Sequence, residues 1–352
     1  MSRTTSVRGR GAGYKKILVA RLDRLGDVVL STPALKALRD AYPDSRISLM
    51  VRPYVKDIVK GNPYINEVIL YDKSGPLGGL KRTLDVIRKL RSDRFDLAVI
   101  LHPTVRTHWV TFLAGIPKRL GFDRKMGVLL TDRVPDKKHL GLKHEIDYTL
   151  GLLKFIDVNS RDRKMQIPLN RESQEKISGI FAASGISDTD KVITINPAAS
   201  CPSKRWPGER FAQVADRLAR DHGTKIVVIA GPEDEAIGHR TASLIKSGCI
   251  DMSGGNSVAD VASVLKRSNL FISNDSGPVH IACAVGTPVI AIFGRSDRGL
   301  SPRRWGPSNK SDIALKDIGC IECIAHNCLL GFRCLDSITV DDVVKSAKEL
   351  LK

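Results

Sequence analysis

The 352-residue chain is 42% hydrophobic and 27% charged, an ordinary globular composition that excludes wholesale disorder, collagen-like repeats and a disulfide-stapled miniprotein. Lysine and arginine outnumber aspartate and glutamate by 56 to 38, a formal charge of +18 that is unevenly spread. Residues 1–150 hold 29 basic and 15 acidic side chains against 27 and 23 in 151–352, so one half is suited to an anionic partner.

At about 100–200 residues per domain the length suits two domains. Residues 1–14 (MSRTTSVRGRGAGY) read as a flexible basic tail, with no apolar stretch to serve as a signal peptide. No window approaches about 18 uninterrupted apolar residues, so the expected compartment is cytoplasmic. The glycines GRGAG at 9–13 precede the first strand, the wrong side for a dinucleotide fingerprint. A buried-strand pattern, KKILVA at 15–20, leads into a polar turn, RLDRLGD, and apolar residues at helical spacing over 28–40. Strand 46–51 and a helix stopping near 61–63 follow. Strand 67–71, a loop (KSGPLGG), a basic helix over 80–92 and strand 97–101, ending in HPTVRT, come next. Region 124–168 is less regular, and 161–170 (RDRKMQIPLN) is the expected connection between domains. Beyond it come strand 192–196, a helix over 208–221, strand 225–230 and helices over 233–246 and 257–267. Strand 270–273, a short helix from Pro278 and strand 289–293 complete the pattern. Strands alternating with helices predict an α/β protein of two Rossmann-like doubly wound domains, 15–165 and 166–352, facing each other across a cleft. The last helix is expected to pack back on the N-terminal domain.

In such sheets ligands bind beyond the carboxyl ends of strands. Asp27, at the start of a helix, reads as an N-cap or as a general base facing the cleft. NPAASCPSKRWP at 196–207 offers small residues, hydroxyls and Lys204, a point charge for phosphate; taken alone, Lys204 and Arg205 read as a solvated pair. NDSGPVH at 274–280 combines an Asp275-Ser276-Gly277 turn with Pro278 at a first helical position and His280 one turn in. A capping turn explains Asp275 and Pro278, while helix-terminal amides make an anion site. AGPEDE at 230–235 puts Glu233 at the cleft edge, where a carboxylate can hold ribose hydroxyls.

In this order RLDRLGDVVLSTPAL, NPAASCPSKRWP, AGPEDE and NDSGPVHIACAVGTPVIAIFG resemble glycosyltransferase family 9, the ADP-heptose:lipopolysaccharide heptosyltransferases, over nearly the whole chain. The resemblance implies a GT-B architecture, with an N-terminal acceptor domain and a C-terminal ADP-sugar domain. It also implies inverting transfer of heptose from ADP-heptose to the lipopolysaccharide inner core (Kdo-lipid A or Hep-Kdo-lipid A), with no cofactor for catalysis. By it Asp27 matches the catalytic aspartate, Lys204 the lysine on the donor diphosphate, and Glu233 the ribose-binding carboxylate. Ser200 falls in the hydroxyl-bearing part of the Lys204 loop. Asp275, Ser276, Gly277 and His280 match the element around phosphates and sugar. Asp23 stands where many members carry a small residue, usually Ser, and adds a second carboxylate beside Asp27.

The implied acceptor bears phosphates and carboxylates, which gives the basic half a use. Acceptor candidates are Arg24, Arg52, Arg106, Arg124, Lys137, Lys138 and Lys143; any one alone reads as part of a solvated basic face. Together they suit an anionic leaflet, so peripheral attachment to the cytoplasmic face of the inner membrane is expected. Cys320, Cys323, Cys328 and Cys334, spaced C-x2-C-x4-C-x5-C, read either as a structural zinc or iron site or as free thiols in a packed loop. Two rivals remain. A GT-B enzyme using a different nucleotide sugar shares the cleft but is not expected to pair the GD and DSGPVH elements. A nucleic-acid-binding protein is disfavoured, despite pI ≈ 9.7, by 5% aromatics and the lack of any helix-turn-helix, RNP or zinc-finger pattern, so no specific nucleic-acid partner is expected.

Overall fold

The computed structural model describes residues 13–72, 76–320, 323 and 326–352, so the expected tail lies outside them but for Gly13 and Tyr14. The first sheet comprises β1 (Lys16–Ala20), β2 (Arg46–Val51), β3 (Glu67–Leu70), β4 (Leu97–Ile100), β5 (Lys118–Asp123) and β6 (Asp132–Pro135). The second comprises β7 (Val192–Asn196), β8 (Lys225–Ala230), β9 (Ile250–Ser253), β10 (Leu270–Asn274), β11 (Val289–Phe293) and β12 (Ser311–Leu315). Their orders are β3-β2-β1-β4-β5-β6 and β12-β11-β10-β7-β8-β9, every pairing parallel. The two sheets therefore share one doubly wound topology. The central strands KILVA, VITIN and VIAIF are apolar on both faces because helices cover both faces. In each sheet the strand order reverses beside the first strand, at β1/β4 and at β7/β10, which marks two ligand-binding crevices.

One apolar cluster runs through both halves, joining Val28, Val29 and Ile58 to Val279, Ile281 and Val264. It rests on two contacts: the helix Leu25–Val29 against Gly277–Val285, and Lys56–Val59 against Val258–Arg267. Residues 158–170 connect the halves without helix or strand.

The helix expected over 28–40 is two helices, Leu25–Val29 and Thr32–Ala41. The Ser31 and Thr32 hydroxyls bond the carbonyls of Asp27 and Val29 at 2.7 and 2.8 Å, and Pro33 has no N–H with which to continue the ladder. Region 124–168 is more regular than its charge suggests, holding β6 and the helix Glu145–Leu153. The final helix, Val340–Leu350, does not pack back on the N-terminal half. Val343, Val344 and Ala347 bury against a cluster containing Trp206 and Phe211, and the helix lies on Gly208–His222, β11 and β12.

Candidate active site

Each reversal point carries a motif read from the sequence. Beyond β1 the chain turns through Arg21, whose side chain is 2% exposed, although an arginine is seldom buried unless paired. Its guanidinium meets Asp27 at 2.8 Å, Asp23 at 2.9 Å and Glu145 at 3.3 Å, and donates to the Leu101 carbonyl at 3.0 Å. Asp27 sits in the first turn of Leu25–Val29 and caps nothing; its carboxylate is oriented by Arg21. Burial drives the Asp23 carboxyl up to about 7 against the pull of Arg21, with the neighbouring Asp27 charge adding to the rise. Glu145, 1% exposed, also meets Lys138 at 2.6 Å and Arg304 at 2.9 Å. Burial alone would raise the Glu145 carboxyl; Lys138, Arg21 and Arg304 overcome that and hold it at about 2.

In the second half the loops after β7 and β10 are tied together. Asn274 donates to the Pro197 carbonyl at 2.7 Å and accepts from the Trp206 amide at 3.0 Å, while Asn196 donates to Ser276 at 3.0 Å. Lys204 is thereby brought to Asp275, 2.5 Å away. Ser276 precedes the helix Gly277–Val285 but its hydroxyl bonds Ser273 and Asn196; no side chain caps the first amides, and helix-start amides of that kind suit an anion. His280 is buried and its pKa falls to about 3, chiefly from desolvation and further from His144 and Lys204, so it is neutral at pH 7. Glu233 is exposed at the end of β8 beside Asp234, which pairs with Arg205 at 2.9 Å.

The two centres meet where glycine faces glycine. A Cβ on Gly26 would lie 2.7 Å from His280 and 3.3 Å from the Gly277 backbone, so only hydrogen fits there. Arg24 donates across the same seam to Ser200 at 3.4 Å. Arg304 of the second half reaches Glu145 of the first with two bonds, 2.9 and 3.0 Å, and His144 Nε2 lies 2.9 Å from the Gly306 carbonyl. Gly26→Ala is therefore expected to cost about 1–3 kcal/mol of overpacking at this seam, read as a joint fall in melting temperature and in kcat/KM.

The basic candidates form a row. Arg24, Arg52, Arg106 and Arg124 follow β1, β2, β4 and β5, and Lys137 follows β6, so all stand beyond the carboxyl edge of the first sheet. Arg24, Arg106, Arg124, Lys137 and Lys143 are exposed, and Arg52 lies over the Tyr54 ring at 5.0 Å. Lys138 departs from the row: it is buried, its ammonium bound to Glu145 and 4.3 Å above the Phe122 ring, which removes it from an open acceptor face. The four C-terminal cysteines are half-buried free thiols. Among the described residues no group of three or more His, Cys, Asp or Glu is placed to hold a metal ion.

Arg21, Glu145 and Arg304 were not singled out in the sequence. Arg21 lies inside the RLDRLGD turn and could have been read from it. Glu145 and Arg304 are 159 residues apart and carry no local signal.

Residues 83–332 match the family described as glycosyltransferase family 9 (heptosyltransferase). The chain is 28% identical over 302 residues to lipopolysaccharide heptosyltransferase 2 of Escherichia coli K12, covering 82% of this chain and 85% of that protein. It is similar to the crystal structure of a family 9 glycosyl transferase from Veillonella parvula, with TM-score 0.85, 28% identity and coverage of 96% and 97%. An Escherichia coli heptosyltransferase solved with ADP-2-deoxy-2-fluoro heptose shares the fold, with TM-score 0.69, 19% identity and coverage of 95% and 99%.

Proposed function

The chain belongs to glycosyltransferase family 9, and from that premise we propose that it transfers heptose from ADP-heptose to the inner core of lipopolysaccharide, with inversion, using Asp27 as general base. The observation that supports this reading is that the helix bearing Asp27 packs, at the Gly26–Gly277 seam, on the helix that opens the Lys204–Asp275–Gly277 site.

In this reading the adenosine diphosphate lies against Lys204 and the uncapped amides at the start of Gly277–Val285, with Glu233 on the ribose. An acceptor hydroxyl attacks the anomeric carbon from the N-terminal side. As its oxygen forms the new glycosidic bond, its proton passes to Asp27. The bond from the anomeric carbon to the diphosphate oxygen breaks, and its electron pair leaves on ADP. Lys204 and the helix-start amides stabilise the charge that develops there. One displacement inverts the anomeric centre and leaves no covalent intermediate on the protein. Neutral His280, walled in against Gly26, shapes the sugar pocket and adds no competing charge. The arginine row beyond β1, β2, β4 and β5 holds the anionic acceptor, and the enzyme works at the cytoplasmic face of the inner membrane.

The direct test is incubation of purified protein with ADP-heptose and a series of truncated inner-core acceptors, with the product resolved by mass spectrometry and its anomeric configuration by NMR. One acceptor gaining one heptose of inverted configuration is expected. Transfer from a UDP-sugar, with none from ADP-heptose, would overturn the donor assignment.

A further inference from the structure

Helices Pro76–Asp93 and Val105–Leu113 cover the outer face of the first sheet, turning Val86, Leu90 and Val110 into its core. Part of their solvent side is apolar too. Val105, Trp109, Phe112 and Leu113, at helical spacings of four, three and one, are 46%, 40%, 42% and 42% exposed and form one stripe. Leu80 and Leu84, 65% and 44% exposed, stand on the neighbouring helix, which touches the first. Trp109 and Phe112 pack edge to face at 6.0 Å, giving the stripe a rigid aromatic centre.

A surface helix usually turns polar residues outward, so an apolar outer stripe needs an apolar phase or partner to cover it. The frame of this stripe selects among coverings. Helix Pro76–Asp93 carries five Lys or Arg against two Asp, and Arg119 lies 5.4 Å over the Phe112 ring. Apolar and aromatic groups ringed by cations match a bilayer whose headgroups are anionic. The overall charge of +18 would attract the protein to such a surface without choosing a side; the stripe chooses one.

We propose that the outer face of helices Pro76–Asp93 and Val105–Leu113 is a docking surface for an anionic lipid membrane. Both helices follow strands whose carboxyl ends border the cleft, so docking there sets the arginine row beside the lipid surface. The proposal deepens the functional reading and rests on it only for the acceptor being lipid-borne. Among the described residues no helix is long and apolar enough to cross a membrane, so the contact is interfacial.

The full chain is floated with vesicles of phosphatidylcholine alone or mixed with phosphatidylglycerol. Binding to the mixed vesicles is expected, with a blue shift of Trp109 emission over the steady signals of buried Trp206 and half-buried Trp305. The double variant Trp109→Ser, Phe112→Ser should lose binding by about tenfold or more, and Leu80→Gln, Leu84→Gln should act in the same direction. Both should keep wild-type circular dichroism and wild-type transfer to a soluble, delipidated acceptor. No flotation of the wild type, or flotation unchanged in both variants, overturns the proposal. So does a solution dimer that the variants dissociate, because the stripe would then belong to a second copy. Failure of soluble transfer in the wild type defeats the functional reading and leaves the flotation result standing.

Discussion

Asp27→Asn is expected to lower kcat for heptose transfer by about 10²–10⁴-fold while KM for ADP-heptose stays near its wild-type value. The amide keeps the shape of the side chain and can still accept from Arg21, which lies 2.8 Å from the carboxylate it replaces, so positioning survives and proton acceptance does not. A rise in KM with kcat preserved would mean that Asp27 binds the acceptor and takes no proton. Asp23 supplies a second arm of the same experiment. Its carboxyl titrates near 7, so below that pH it is protonated and Arg21 serves Asp27 and Glu145. Above it the Asp23 charge competes with Asp27 for Arg21 and frees the Asp27 carboxylate to meet the acceptor. Transfer should therefore accelerate as pH rises through about 7, and Asp23→Asn should remove that step from the pH–rate profile.

Glu145→Ala is expected to destabilise the protein by about 3–5 kcal/mol, read as a lowered melting temperature. The loss leaves Lys138 and Arg304 without the carboxylate that compensates their burial and deprives Arg21 of one partner. Arg304→Ala removes one cation and leaves Lys138 and Arg21 on Glu145, so its effect should be smaller. The pH sign follows from the low Glu145 value. A carboxyl held near 2 contributes stability that is full above the ordinary carboxylate range and is lost as pH falls toward 2. On acidification the melting temperature of the wild type should therefore fall further from its neutral-pH value than that of Glu145→Gln does from its own.

The central strands were legible because parallel strands covered on both faces read as continuous apolar runs, and 46–51, 225–230 and 289–293 coincide with β2, β8 and β11. The strands β5, β6, β9 and β12 were not singled out: KRLGFD, DRVP, IDMS and SDIAL lie away from the sheet centres and are short or polar. In the candidate site, Asp27, Lys204 and the Asp275–Gly277 turn announced themselves because each follows a strand within a compact motif. The Glu145 cluster could not. Its members come from three separate stretches of chain, and only burial makes them interdependent. Lys138 shows the same effect in reverse: its sequence neighbour Lys137 is exposed, and nothing local distinguishes the two lysines. The final helix belongs to the second half by sequence and packs there too, not back on the first: its apolar face is received by the Trp206 and Phe211 cluster.

The apolar cluster shared by the halves also has an order in time. Chains emerge from the ribosome N-terminus first, and β1 to β6 all end by Pro135, so the first sheet can complete its ladder before any strand of the second exists. Yet Val28 and Ile58 are covered only when 258–285 arrives, more than a hundred residues later. A nascent chain therefore carries a finished sheet with an unfinished side, and for that interval the surface that becomes the seam between the halves stands open to water.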